Sequence, residues 1–339
     1  MIIESTTKTF DDYDTQSFVT TTKLLKTLEK RIEFKDKLIS TFKVEEDKPQ
    51  VIKIGNSKSL IDSILEVDSK CHKVDINAQI KDIHLKKMLE AEKAEFEIFN
   101  ISDEYILKNN QSDLLIGETT YTAKSDLLDY YSFSKFANYC RDKDFSDLID
   151  TIKEYLFSKN SANTDQKSLR LVHKFEDDKY YIRALTSTNG YQDFGINFSV
   201  FVALVALADY VEKSNNEIYI NKYKVDDSHI YVSFALRNEF KVNEKITLSF
   251  NLVLENDEIK RNAVSFNGIF KLRWEESDKK SEIYLKPTGV KKEDKNHPVD
   301  LLTYQHRGNV QGVFDKIQKL PDLIDFFISQ VSEDAKRIS

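Results

Sequence analysis

The apolar residues of this chain change their period at Leu169. From there Leu169, Leu171 and His173 alternate with Arg170, Val172 and Lys174. After a turn carried by Asp177 and Asp178, Tyr180, Ile182 and Ala184 alternate with Tyr181, Arg183 and Leu185. Alternation by two marks strands, and two such runs around an Asp-Asp turn predict a β-hairpin. Ile218–Tyr223, Ile230–Leu236 and Ile246–Leu254 read as further strands, and Ala263–Trp274 as a strand broken at Asn267 and Gly268. Upstream of Leu169 the spacing is mostly helical. It predicts helices over about 18–39, from Ser57 or Ser59 through Leu65, over 85–94, over 122–140 with Leu127, Leu128, Tyr131 and Phe136 on a broad apolar face, and over 145–157 with Leu148, Ile149, Ile152, Tyr155 and Leu156 recurring.

Between these halves the chain offers short strands at Val51–Ile54 and Leu114–Ile116, the latter closed by Gly117. The Lys108–Ser112 stretch predicts a boundary, giving a mostly helical region over 1–110 and a second domain over 111–339. Asn197 or Ser199 is placed to cap a helix running to Glu212. Lys279–Asp300 reads as a charged loop, and Pro321 divides a final helix pair over 310–320 and 322–335. The fold class is therefore α+β: a helical N-terminal half, an antiparallel sheet with a packed helix in the C-terminal half, and a helical C-terminal tail.

Composition narrows function mainly by exclusion. In 339 residues, 50 Lys and Arg stand against 57 Asp and Glu, a formal charge of −7, which argues against a strongly basic nucleic-acid binder. Two cysteines, Cys71 and Cys140, are too few for a disulfide scaffold and fit a reducing compartment. The first residues lack a signal-peptide layout, and the longest apolar stretch, Phe198–Val211, is too short to span a bilayer; the expected location is cytoplasmic, away from membranes. No phosphate loop, dinucleotide fingerprint or nucleophile elbow occurs. The six histidines form no metal pattern, since Cys71-His72 lacks a second ligand pair. The reading is a non-enzymatic protein with no cofactor and no metal.

Three basic stretches remain. One carries Lys23, Lys26, Lys30 and Arg31. The second carries Arg170, Lys174, Lys179 and Arg183 with Tyr180, Tyr181 and Tyr191, and the third Lys286, Lys291, Lys292 and Lys295 leading to His306 and Arg307. Acidic residues intersperse all three, and taken singly each reads as a solvated face.

One series of segments is familiar: Arg183-Ala184-Leu185-Thr186-Ser187 with Tyr191 beyond it, Asn256-Asp257-Glu258, Ser265-Phe266-Asn267-Gly268, and Tyr304-Gln305-His306-Arg307-Gly308 before the last helices. Their order resembles the phage- and plasmid-related protein family built on a conserved domain of unknown function, over about 114–335. Asp257 stands where that family usually has Ser. The resemblance implies an accessory gene product of mobile elements, with no catalytic residue to carry over. It marks Arg183, Ser187, Tyr191, Asn256, Glu258, His306 and Arg307 as a shared surface. The expected function is single-stranded DNA binding in replication or recombination. Arg170, Lys174, Arg183 and Arg307 would engage phosphate, and Tyr181 and Tyr191 would stack bases. The alternative is a host-takeover, anti-defence or virion factor that binds a phage or host protein through an interaction surface. An enzyme would need Arg183, Glu258 and His306 in one pocket. A continuous basic and aromatic strip favours DNA, whereas a mixed-sign surface with an exposed apolar patch favours a protein partner.

Overall fold

The computed structural model describes residues 2–29, 34–45, 48–90, 93–130, 133–188, 191–259, 263–276, 279–285, 302–306 and 309–338. The chain divides into two units. The first comprises Met1–Glu4 and Val67–Tyr191, and the second Ser5–Glu66 and Gln192–Ser339. The boundary expected near residue 110 thus falls inside the first unit. The polar run there is a turn, with Gln111 closing a helix in the left-handed conformation (φ 53°).

In chain order the second unit opens with β1 (Thr6–Thr9), β2 (Val19–Thr20), α1 (Thr21–Lys26), α2 (Lys35–Phe42), β3 (Val51–Ile52) and β4 (Ile54–Gly55), followed by α3 (Ser57–Lys70). The single helix expected over 18–39 is therefore broken. Thr20 caps α1 through a hydrogen bond from the Lys23 N–H, and α1 ends after Lys26, where the Thr27 N–H turns back to Leu24 and Leu25. The first unit continues with β5 (Cys71–Gln79), β6 (Ile83–Met88), β7 (Ala94–Ile98), α4 (Glu104–Asn110), β8 (Leu115–Thr119), α5 (Ala123–Asp129), α6 (Ser134–Asp142), α7 (Ser146–Asn160), β9 (Gln166–Lys174) and β10 (Lys179–Ser187).

These early strands overturn the helical N-terminal half. The helix expected over 85–94 is the end of β6 and the start of β7. Ile83 and Leu85 are buried around His84, and β7 alternates buried Ala94, Phe96 and Ile98 with half-buried Glu95 and Glu97. The Lys and Glu residues that suggested a helix are the outward positions of a period-two pattern. The helix expected over 122–140 is two helices, α5 and α6.

The first unit is built on a six-stranded sheet in the order β5-β9-β10-β8-β7-β6. The predicted hairpin forms its middle, pairing Tyr180 with His173 and Leu185 with Leu169. β8 joins β10 in parallel, Gly117 opposite Tyr180. Phe96, Ile98, Leu115, Leu171 and Ile182 pack with Leu127 and Leu128 of α5, Ala137 of α6 and Ile149 of α7. Full burial stabilises each of the large side chains by about 1.5–3 kcal/mol.

The second unit resumes with α8 (Ile196–Ser214), β11 (Ile218–Val225), β12 (His229–Leu236), β13 (Phe240–Lys241), β14 (Ile246–Asp257), β15 (Val264–Glu276), β16 (Lys279–Leu285), β17 (Leu302–Tyr304), α9 (Val310–Ile317) and α10 (Leu320–Ile338). Its main sheet runs β1-β11-β12-β14-β15-β16, with β13 on β14, β17 on β15, and β4 parallel to β11. α8 is buried along most of its length against this sheet, as its nearly continuous apolar sequence requires. The break expected at Asn267-Gly268 is absent, and β15 runs straight through. Gly268 is instead a close-packing position, where an added Cβ would lie 2.5 Å from Phe327 of α10. Residues 279–285, expected as loop, form β16. Lys271 and Arg273 of β15 both hold the Glu282 carboxylate, at 2.7 and 3.1 Å. The remainder of that predicted loop, with Lys286, Lys291, Lys292 and Lys295, lies outside the described residues. The fold is mixed α+β and ends in a helix pair, but Pro321 does not divide it: α10 begins at Leu320, so Pro321 stands in its first turn, where a missing N–H costs no helical hydrogen bond.

Candidate functional site

The basic and tyrosine residues chosen from the hairpin do not form a displayed strip. Arg170 and Arg183 are fully buried, because both faces of β9 and β10 are covered at their level. Arg170 donates from Nε to Asp75 Oδ1 at 3.2 Å and from Nη1 to the Tyr191 hydroxyl, and its guanidinium lies 4.7 Å from the Tyr191 ring centroid. Tyr191 is thus occupied as a cation–π platform for a residue of its own unit. Lys174 pairs with Glu176 at 2.9 Å, a bond that raises its pKa. Burial and a 2.6 Å hydrogen bond donated to Asp177 push the Tyr181 hydroxyl well above its usual range. Ser187 is exposed at the end of β10, and Arg307 lies outside the described residues. In the first basic stretch, Lys23 is paired with Asp62, and Lys30 and Arg31 lie outside the described residues.

Three of the motif positions do converge, at the head of α8 in the second unit. Asn256, one residue before the end of β14, is buried, and its amide nitrogen donates to the Phe194 carbonyl at 2.8 Å and to Ser199 Oγ at 3.1 Å. That orientation leaves Oδ1 as acceptor for His306 Nε2 at 3.1 Å, while His306 Nδ1 faces the Gln192 carbonyl at 3.2 Å. Two residues on, the Glu258 carboxylate accepts the Ile196 N–H at 2.9 Å, at the positive end of a 19-residue helix. Gly195 gives it room: a Cβ there would lie 2.6 Å from Glu258 Oε1. These contacts fix strand end, loop and helix start to one another. They read as a brace, and Arg183, the third member of the enzymatic constellation, belongs to the other unit.

Next to the brace the β11–β12 connection concentrates buried acids. Asp226 Oδ1 accepts the Ser228 N–H at 2.8 Å, the His229 N–H at 2.9 Å and His229 Nδ1 at 3.2 Å. Burial pushes the Asp226 carboxyl upward, but these hydrogen bonds together with the His229 ring hold it below its ordinary value. A carboxyl depressed on folding contributes stability above about pH 4 that is lost as pH falls through its folded value. Urea unfolding of wild type and Asp226→Asn from pH 6 to pH 3 is expected to show a stability gap that narrows on acidification. A gap that stays constant across that range would contradict the assignment.

Sequence reasoning missed two features of the first unit. One is an open groove of about 520 Å³ over Glu95, Asn109, Ile116, Glu118, Asp178 and Tyr180. Beside it the Tyr105 hydroxyl donates to His173 Nδ1 at 2.7 Å and His173 Nε2 donates to Asp178 Oδ1 at 2.7 Å. The series has the spacing of a proton relay. Asp178 lines the groove and Tyr105 does not, so the end of the series that reaches the groove is its carboxylate.

The other is a row of aromatic and apolar side chains on α6, α7 and the turn between them. Phe136 is 36% exposed, Tyr139 51%, Phe145 46%, Leu148 41% and Tyr155 61%. Successive ring centroids lie 5.7 Å apart from Phe133 to Phe136, 6.4 Å from Phe136 to Tyr139 and 6.2 Å from Tyr139 to Phe145. The sequence signal was present as a broad apolar face. Only the fold shows that Ala137, Cys140 and Ile149 fill the core while the rings stand outside.

Among the described residues no three His, Cys, Asp or Glu side chains gather in a way that would hold a metal ion. No helix among them is long and apolar enough to cross a membrane. No family model matches the chain, and neither characterised proteins nor solved structures yield a match.

Proposed function

We propose that this chain is a non-enzymatic accessory protein, of the mobile-element kind its motifs resemble, that acts by binding another protein. The observation that carries this reading is the exposed row Phe136, Tyr139, Phe145, Leu148 and Tyr155. Single exposed apolar residues are ordinary on a surface, but exposed rings in mutual contact, here Phe136, Tyr139 and Phe145, with Leu148 and Tyr155 following on α7, mark an interaction site. Aromatic residues are also the type most enriched at the energetic centres of protein interfaces. The single-stranded DNA reading is weaker on the same geometry. Two of its four expected phosphate ligands, Arg170 and Arg183, are buried, and a third, Lys174, is paired with Glu176.

The test is capture of partners from host extract by the immobilised chain and by a Phe136→Ser, Tyr139→Ser, Tyr155→Ser variant of unchanged circular dichroism. A discrete protein held by the wild type and lost by the variant is the expected result. Identical capture by both chains, or salt-sensitive binding of a labelled single-stranded oligonucleotide in anisotropy, would instead return the DNA reading to first place.

A further inference from the structure

The charge around the aromatic row narrows the partner. Along 144–155 four carboxylates, Asp144, Asp147, Asp150 and Glu154, accompany a single basic residue, Lys153, and all four are exposed. Lys153 is already engaged, its ammonium 2.8 Å from Asp150 and 3.0 Å from the Lys86 carbonyl. Asp144, Asp147 and Glu154 have no ion-pair partner among the described residues. Other cations lie on the elements packed against α7, Lys81 and Lys86, the latter 4.0 Å from Glu97, and on the flanks of the segment. Arg141 is paired with Asp142 at 2.9 Å, Lys135 and Lys143 belong to α6 and the turn after it, and Lys159 lies 5.5 Å from the Tyr155 ring centroid.

The apolar spacing adds a shape. Leu148 and Tyr155 are seven residues apart on one helix, about 10 Å along its axis, with half-buried Ile152 between them and Phe145 just ahead. Anchors two turns apart match the i and i+7 positions of a helix laid alongside. Carboxylates beside that stripe suit a helix whose polar face is cationic.

On the protein-binding reading above, we infer that α7 docks a basic amphipathic helix of its partner. The partner's apolar anchors would sit over Phe145, Leu148 and Tyr155, and its Lys or Arg side chains would meet Asp144, Asp147 and Glu154. The pairing is electrostatically selective, so an acidic helix of the same apolar pattern is rejected.

The probe is a fluorescein-labelled 18-residue amphipathic peptide of Leu and Lys, compared in anisotropy with its Leu and Glu counterpart on the full chain. The Leu/Lys peptide is expected to bind and the Leu/Glu peptide to bind far less. Asp147→Lys with Glu154→Lys, both at exposed positions, should weaken the first by about tenfold and improve the second. Tyr155→Ala should weaken the Leu/Lys peptide while leaving the circular dichroism unchanged. Equal binding of the two peptides, or indifference to the charge reversal, overturns the basic-helix inference but leaves the aromatic row as a protein site. Binding of neither peptide overturns it as well. If the serine variant then captures the same proteins as the wild type, the protein-binding reading falls with it. Tight binding of a second copy of the chain, seen as a dimer in sedimentation and lost in Tyr155→Ala, would assign the surface to self-association instead.

Discussion

An Asn256→Leu chain is expected to lose about 3 kcal/mol of stability in the second unit, with a thermal midpoint lower by roughly 6–12 °C. Leucine keeps the branch point and heavy-atom count of asparagine but is bulkier and cannot hydrogen-bond, so the loss combines unmade hydrogen bonds with some overpacking. Asn256 serves three partners from a buried position: the Phe194 carbonyl, the Ser199 hydroxyl and His306 Nε2. Leucine leaves the carbonyl and the ring nitrogen unpaired away from water, and each such group costs about 1–3 kcal/mol. Differential scanning fluorimetry and urea unfolding give the number directly. A midpoint within about 2 °C of wild type would mean that water replaces all three bonds and that the brace is not structural.

Phe194→Ala should cost more, about 3–5 kcal/mol. The Phe194 ring is fully buried, with centroids of Phe198 at 5.0 Å, Phe34 at 5.3 Å and Tyr304 at 5.5 Å. The surrounding rings come from α8, from the residue ahead of α2 and from β17, so three parts of the chain lose a shared contact at once. Phe194→Leu keeps most of the volume and is expected to lose less than about 1.5 kcal/mol. The comparison is read from chemical denaturation at fixed temperature. Equal losses for the two variants would show that the site collapses around the smaller side chain and that ring packing contributes little there.

Both residues sit where sequence reading reached part of the way. The Asn256 and His306 positions stood out through the motif order, yet their contact joins β14 to the segment after β17, fifty residues on, which no local pattern encodes. The β9–β10 hairpin was legible because a clean alternation flanks a strong turn. Its consequence for Arg170 and Arg183 was not, since alternation marks two faces without telling whether the second is covered. β6 and β7 were misread because charged helix formers occupy their outward positions, and the two parallel pairings, β8 with β10 and β4 with β11, depend on partners far apart in the chain. On α6 and α7 the apolar face was seen but is wider than the core can cover, and periodicity alone does not say which rings are left out.

The interleaving of the two units imposes an order on synthesis. β1 and β4 are made early, but the strand that pairs with both, β11, begins at Ile218. Residues 67–191, which hold every strand of the six-stranded sheet, leave the ribosome in that interval. At roughly 5–20 residues per second, the gap between Ile54 and its partner Ile218 lasts about 8–33 s, long against the folding time of an ordinary domain. The later-completed sheet therefore waits with its first strands unpaired while the inserted unit folds. During that interval the exposed edges of β1 and β4 are the part of the nascent chain that most needs shielding from other chains.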